Sequence, residues 1–328
     1  MKSNLIKAFA LRNSVTSAVV LLSTLIFGVS CEKSVAPGTQ PGTTSTTSNK
    51  NLVFQPLTST IEMLVGAASQ NTSGSDWPAL DTVAGPWSVR RSYDGGAIPA
   101  TWSASVAGVD VSHRASVWSA KPDLTQLASG ALDSSINAFL ASIPSTHVAF
   151  LTVWHEPDGK IRKGQFTLAQ WKPAFQHFCN LVHASGKPHV YTTLICEAWS
   201  GQSPSAGTTY ADMWPGSGYV DVFGVDGYSN TGSDSALWHP AVAFAQSENV
   251  PWGIGEVGCA TTIDTAWMRK QAVYAATHSS GGHSSAAYFC WFSNDNGVIP
   301  TPGTNPAADA TSHSISQQYF INYTTFSL

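Results

Sequence analysis

The chain is expected to be α/β, folded as a (β/α)8 TIM barrel, and three observations predict it. Short apolar runs alternate with amphipathic stretches from about residue 60 to the C-terminus. Several of these runs are almost continuously apolar, as parallel strands covered on both faces must be. Eight of them fit in about 270 residues, close to the ~250 that such a barrel needs.

The strand runs are 61–67 (IEMLVGA), 87–93 (WSVRRSY), 112–118 (SHRASVW), 147–154 (HVAFLTVW), 189–196 (HVYTTLIC), 219–225 (YVDVFGV), 252–257 (WGIGEV) and 286–292 (AAYFCWF). Helical stretches are read at 124–141, 167–185, 236–249 and 263–278. Thr167 with Gln170 forms a capping-box start, and Gly186 lies just past the end of that helix. A doubly wound sheet is the alternative topology, but no Gly-x-Gly-x-x-Gly follows the first strand.

The segments before the barrel carry other signals. Lys2, Lys7 and Arg12 precede an apolar stretch from Val15 to Phe27, and Gly-Val-Ser-Cys follows. Residues 1–31 therefore read as an export signal, either of the lipoprotein type with Cys31 as the lipidated residue or simply cleaved. Residues 32–50, rich in Ser, Thr, Pro and Gly, read as a tether that buries too little apolar surface to fold. The catalytic domain is assigned to 51–328. Removing residues 1–30 takes away three of the 16 basic residues and none of the 20 acidic ones, leaving a formal charge of −7. No Lys/Arg block remains, so no nucleic-acid partner is expected. The surface must be largely uncharged, because charged residues are only 11% of the chain against the usual ~25%. A secreted or surface-tethered monomer is expected. In an oxidising compartment Cys179, Cys196, Cys259 and Cys290 allow up to two disulfides, with three pairings open.

Chemistry concentrates on two glutamates. The chain has six: Glu32, Glu62, Glu156, Glu197, Glu248 and Glu256. Glu156 (LTVWHEPD) and Glu256 (PWGIGEVG) end strand runs four and seven, each followed within two residues by a helix breaker. Strand C-termini are where such barrels keep their reactive groups. A pair of carboxyls is what glycosidic bond hydrolysis requires. Glu197, which ends run five, is the rival carboxylate. The bland alternative for each Glu is a structural salt bridge. Other chemistries lack their motifs: Gly159 stands where His-Glu-x-x-His needs its second His, and there is no Gly-x-Ser-x-Gly and no P-loop. The ten histidines show no metal-ligand spacing, and no cofactor or metal is expected.

Trp154-His155-Glu156, the run from Asp221 to Tyr228, Gly255-Glu256 and Trp291 together resemble glycoside hydrolase family 26, within the large clan of retaining barrel glycosidases. That family consists mainly of β-mannanases, with some β-1,3-xylanases and lichenases. The chain departs from the best-known mannanases after the first glutamate, where it reads Pro-Asp-Gly-Lys. The resemblance implies that Glu156 is the general acid/base and Glu256 the nucleophile. It implies a sugar- or glutamate-bonding role for His155 and a Tyr228 hydroxyl on the nucleophile. Trp291 would form a sugar-stacking floor, followed by a cis peptide. Arg91, near the end of run two, is read as the cation that orients Glu256, while Arg90 points the other way. Trp118, Trp154 and Trp199 lie near strand ends and line further subsites unless they pack the core. Asp158 and Asp226 are read as rim acids. The expected partner is a β-linked polysaccharide, β-mannan first, with a β-1,3-xylanase or β-glucanase as the alternative. A binding barrel without catalysis is the reading from another class.

Overall fold

A computed structural model describes residues 63–69, 81–107, 114–229, 234–260, 262–293, 305–319, 321, 326 and 328. The export signal (1–31), the tether (32–50) and residues 61, 62, 112 and 113 of the first and third strand runs lie outside them.

Eight parallel strands close into a barrel in chain order. They are β1 (Leu64–Ser69), β2 (Val89–Asp94), β3 (Ala115–Ala120), β4 (Ala149–Val153), β5 (Val190–Glu197), β6 (Val222–Tyr228), β7 (Trp252–Gly258) and β8 (Tyr288–Ser293). β8 pairs with β1 to close the ring, with Leu64 opposite Tyr288 and Ser69 opposite Ser293. All eight predicted runs form strands, seven of which begin one to three residues later than read.

The helices are α1 (Leu124–Ala128), α2 (Asp133–Ser142), α3 (Pro157–Arg162), α4 (Leu168–Ala184), α5 (Ala198–Gln202), α6 (Tyr210–Met213), α7 (Asp234–Ser247), α8 (Thr265–Thr277) and α9 (Pro306–Tyr319). The stretch read as one helix over 124–141 is two. Gly130, at φ +78°, breaks it in the left-handed conformation that glycine tolerates. The capping box of α4 forms as expected, with Thr167 Oγ1 accepting from the Gln170 amide and the Gln170 side chain accepting from the Thr167 amide. The short helices α3, α5 and α6 carry too few residues to show a helical period.

Strand alternation creates two apolar layers. Leu64, Val89, Val117, Phe150, Ile195, Val222 and Tyr288 fill the barrel interior. Val65, Trp118, Leu151, Leu194, Phe223, Ile254, Phe289 and Trp291 pack between sheet and helices. This sorting corrects two expectations. Trp118 faces outward because its neighbour Val117 faces inward; its ring stacks on Phe139 of α2 at 4.8 Å between centroids. Its indole donates to Asp94 Oδ2 at 2.6 Å. Trp291 shares its face with Phe289, their rings 4.7 Å apart at 89°, and is fully buried. Neither lines a sugar site. Among the described residues the one cis peptide is Gly85–Pro86, so the bond after Trp291 is trans.

The four described cysteines are also corrected. Cys179, Cys196, Cys259 and Cys290 are all free thiols. Cys290 sits inside the barrel and the others in the outer layer. No described helix is long and apolar enough to cross a membrane.

Truncating Trp118 removes a buried indole and leaves a void between β3 and α2. Trp118→Ala is expected to lower stability by about 3–5 kcal/mol, read by chemical denaturation. A loss below about 1 kcal/mol would contradict this packing role.

Candidate active site

The C-terminal ends of the strands surround a cleft of about 480 Å³ lined by Tyr93, Asp94, Gly95, Val106, Ser119, Lys121, His155, Glu156, Tyr228, Glu256 and Phe292. Glu156, Glu256, His155 and Tyr228 come together there, and Arg91 lies directly beneath. Trp199, on α5, is 47% exposed and is not among the lining residues.

Glu256 reaches the cleft through an irregularity in β7. Trp252 and Ile254 face the outer layer. Cβ atoms on Gly253 and Gly255 would meet Tyr288 and Asp226 in the interior. Strict alternation would therefore send Glu256 outward with Ile254. Val225 pairs with Ile254, however, while Asp226 pairs with Glu256. On the other flank Ile254 pairs with Phe289 and Val257 with Trp291. β7 thus carries one extra residue against both neighbours, a bulge that re-aims a side chain. Glu256 turns into the barrel mouth and Val257 resumes the outer layer.

Two phenols hold the Glu256 carboxylate. Tyr93 donates to Oε1 at 2.5 Å and Tyr228 to Oε2 at 2.5 Å. The Arg91 guanidinium lies 4.3 Å from the centre of the Tyr93 ring. Its Nη1 donates to the Val117 and Ser92 carbonyls and to Ser119 Oγ, each at 3.3–3.4 Å. Burial pushes the Glu256 carboxyl above its ordinary range, and the Glu156 charge adds to that. Arg91 and the two phenols pull it back down. Burial raises both tyrosines well above the ordinary phenol, and Glu256 reinforces this, so they remain donors at neutral pH.

Glu156 arrives differently. Trp154 and Glu156 both take left-handed backbone conformations, at φ +55° and +54°. The first turns the Trp154 indole out of the cleft, where it donates to the Pro122 carbonyl and packs on Phe166. The second presents the Glu156 carboxylate, which lies 3.3 Å from Lys160 Nζ. Such conformations cost about 1–3 kcal/mol each and persist where their surroundings over-determine them. Between them His155 bonds Ser119 Oγ through Nδ1 at 3.0 Å and packs on Tyr93. Burial holds its imidazole well below the usual range, helped by Arg91, Lys121 and Lys160, so it is neutral at pH 7.

Three acids differ from their sequence reading. Asp226, read as a rim acid, is buried beside Glu256 with neither oxygen hydrogen-bonded. Burial raises its carboxyl well above the ordinary range, reinforced by Glu256 and Glu156. Asp158, in the first turn of α3, is fully buried. Glu197 pairs with Arg162 and is not among the residues lining the cleft. Tyr93 and Phe292 were missed, although parity offers both: Tyr93 follows Arg91 by two residues, and Phe292 alternates with Trp291. Among the described residues no group of three His, Cys, Asp or Glu is arranged to hold a metal ion.

A carboxyl whose folded pKa lies above its unfolded one binds more protons when folded. Its contribution to stability is full below the ordinary Asp range, near pH 4, and is lost as pH rises. Wild-type protein is therefore expected to lose stability relative to Asp226→Asn between pH 4 and 7, followed by thermal unfolding. A gap that does not change with pH would contradict a raised Asp226.

Three solved structures share the architecture. A protein named GH26C from Muricauda sp. aligns with a TM-score of 0.57 at 10% identity, covering 82% of this chain and 90% of its own. The GH26 β-mannanase BoMan26A of Bacteroides ovatus aligns at 0.54 and 14% identity, covering 82% and 93%. A modular endo-β-1,4-mannanase from Cellulomonas fimi, of glycoside hydrolase family 26, aligns at 0.53 and 15% identity, covering 77% and 70%. No protein-family model and no curated protein matches the chain. What the chain shares with these family 26 structures is their (β/α)8 fold.

Proposed function

We propose that the chain is a retaining endo-β-glycanase that hydrolyses β-mannan by double displacement, with Glu156 as acid/base and Glu256 as nucleophile. The observation that carries this reading is the unlike environment of two carboxyls in one cleft. Glu256 is buried and gripped by Tyr93 and Tyr228 above the Arg91 cation. Glu156 is partly exposed beside Lys160. A carboxylate with both oxygens held suits an oriented nucleophile, and the more open carboxyl suits proton exchange with the leaving group and water.

In the first step a Glu256 oxygen attacks the anomeric carbon while the Glu156 proton passes to the departing glycosidic oxygen. Glu156, now ionised, takes a proton from water, which attacks the same carbon and frees Glu256. Tyr93 and Tyr228 fix both Glu256 oxygens, which limits rotation of the nucleophile. The neutral His155 offers hydrogen bonding to a sugar hydroxyl without adding charge. Phe292 supplies the apolar sugar face expected of Trp291. β-Mannan is supported by the names of the Cellulomonas fimi and Bacteroides ovatus structures, and endo action by that of the former. Residues 1–50 support an exported enzyme, tethered through lipid on Cys31 or released after cleavage.

The test is a reducing-end assay of residues 50–328 on β-mannan, glucomannan, β-1,3-xylan and mixed-linkage β-glucan. Cleavage of β-mannan is expected, with no turnover by Glu256→Ala and a loss of about 10²–10⁴-fold in Glu156→Ala. Wild-type activity in Glu256→Ala would overturn the assignment. The acid limb of the kcat/KM profile should report ionisation of Glu256. Tyr228→Phe removes a hydrogen bond to the charged form and should move that limb upward by about one pH unit. A downward shift or none would contradict the role given to Tyr228.

A further inference from the structure

We propose that Asp158 and Arg162 form a clasp that positions Glu156 as acid/base, making Asp158 a positioning residue for proton transfer to the leaving group; this rests on the assignment of Glu156 above. The run Pro157-Asp158-Gly159-Lys160 directly follows Glu156. It opens α3, for which Glu156 is the N-cap residue.

The clasp joins α3 to the end of β5 and the start of α5. Asp158 is fully buried, and its two oxygens accept from the Glu197 amide at 3.0 and 3.2 Å. The Ser200 hydroxyl donates to Oδ2 as well. Arg162, one turn later, donates to Ser200 Oγ at 2.7 Å and pairs with the Glu197 carboxylate. Its guanidinium also stands 3.9 Å from Asp158. Gly159 leaves the space this needs, because a Cβ there would lie 1.9 Å from Glu197 Oε1. The Glu156 amide donates to the Ile195 carbonyl at 2.7 Å, so β5 holds the turn on both sides of the left-handed residue.

This arrangement answers the question of what keeps Glu156 in a strained conformation. A left-handed glutamate relaxes unless its neighbours are fixed. Two of its side-chain neighbours in sequence, Asp158 and Arg162, are spent on β5 and α5 rather than on the cleft. Glu256 depends on a different set of contacts, from β2 and β6, and none of the clasp residues touches it. Loosening the clasp therefore misplaces the acid and leaves the nucleophile in place.

The chemistry supplies a selective readout. Departure of a sugar hydroxyl or a phenol needs a proton, whereas departure of 2,4-dinitrophenolate does not. The substrates are the phenyl and 2,4-dinitrophenyl β-glycosides of the disaccharide unit of the polymer cleaved above. For Asp158→Asn, kcat/KM on the phenyl glycoside and the polymer is expected to fall by about tenfold or more. On the dinitrophenyl glycoside it should stay within about twofold. If Asp158→Asn fails to fold, Ser200→Ala, which removes one donor to the same carboxylate, takes the same measurement with the same direction expected. Equal losses on both glycosides, or none on either, would overturn the clasp's role. Glu156→Ala separates the two readings. If it discriminates between the leaving groups and the clasp variant does not, the clasp alone fails. If Glu156→Ala does not discriminate, or wild-type protein cleaves no polymer, the assignment of Glu156 fails and the clasp with it.

Discussion

β7 holds one more residue between Ile254 and Val257 than either neighbouring strand. In a closed parallel barrel no strand can shift sideways to absorb an extra residue, since each is bonded on both edges. The excess appears as a local turn of the backbone, and that turn swings Glu256 from the helix layer into the mouth. The phenols of Tyr93 and Tyr228, the guanidinium of Arg91 and the burial of Asp226 are all arranged about the position this creates. A β7 of regular pleat would leave Arg91 facing Asp226 without the carboxylate between the tyrosines.

The charge balance beneath the cleft follows from that placement. One buried guanidinium faces two buried carboxyls, Glu256 and Asp226, with Glu156 nearby. A single cation favours one ionised carboxyl beside it. Tyr93 and Tyr228 give Glu256 the hydrogen bonds that Asp226 lacks, so the negative charge rests on Glu256 and the proton on Asp226. His155, kept neutral by burial and three nearby cations, adds no second positive charge to the balance.

The barrel was legible in the sequence because apolar runs of strand length, rich in β-branched and aromatic residues, recur eight times between amphipathic stretches, as parallel strands covered on both faces do. Glu156 and Glu256 were found because they end such runs, and His155 and Tyr228 through the family resemblance; the structure gathers all four at one mouth. Trp118 and Trp291 were misread because nearness to a strand end says nothing of which face a residue occupies. One residue of alternation decides whether an indole meets sugar or helix. The same alternation, applied from Arg91, would have found Tyr93. The β7 bulge, the left-handed turns at Trp154 and Glu156, and the short helix α3 leave no periodic trace, since each departs from a period over only one or a few residues. Asp158 and Asp226 looked like rim acids because burial of a charge is set by what closes over it, and those segments are distant in sequence.

The free thiols have a practical consequence. Cys179, Cys196, Cys259 and Cys290 are all buried, and burial pushes each thiol above its usual range. Thiolate is the species that reacts with oxidants and disulfides, so these four are poor targets for both. A barrel built this way holds together without any cross-link, and its folding is indifferent to redox poise. Such a barrel needs no disulfide-forming machinery where it folds. The same barrel can be made in a reducing cytoplasm with its core chemistry unchanged.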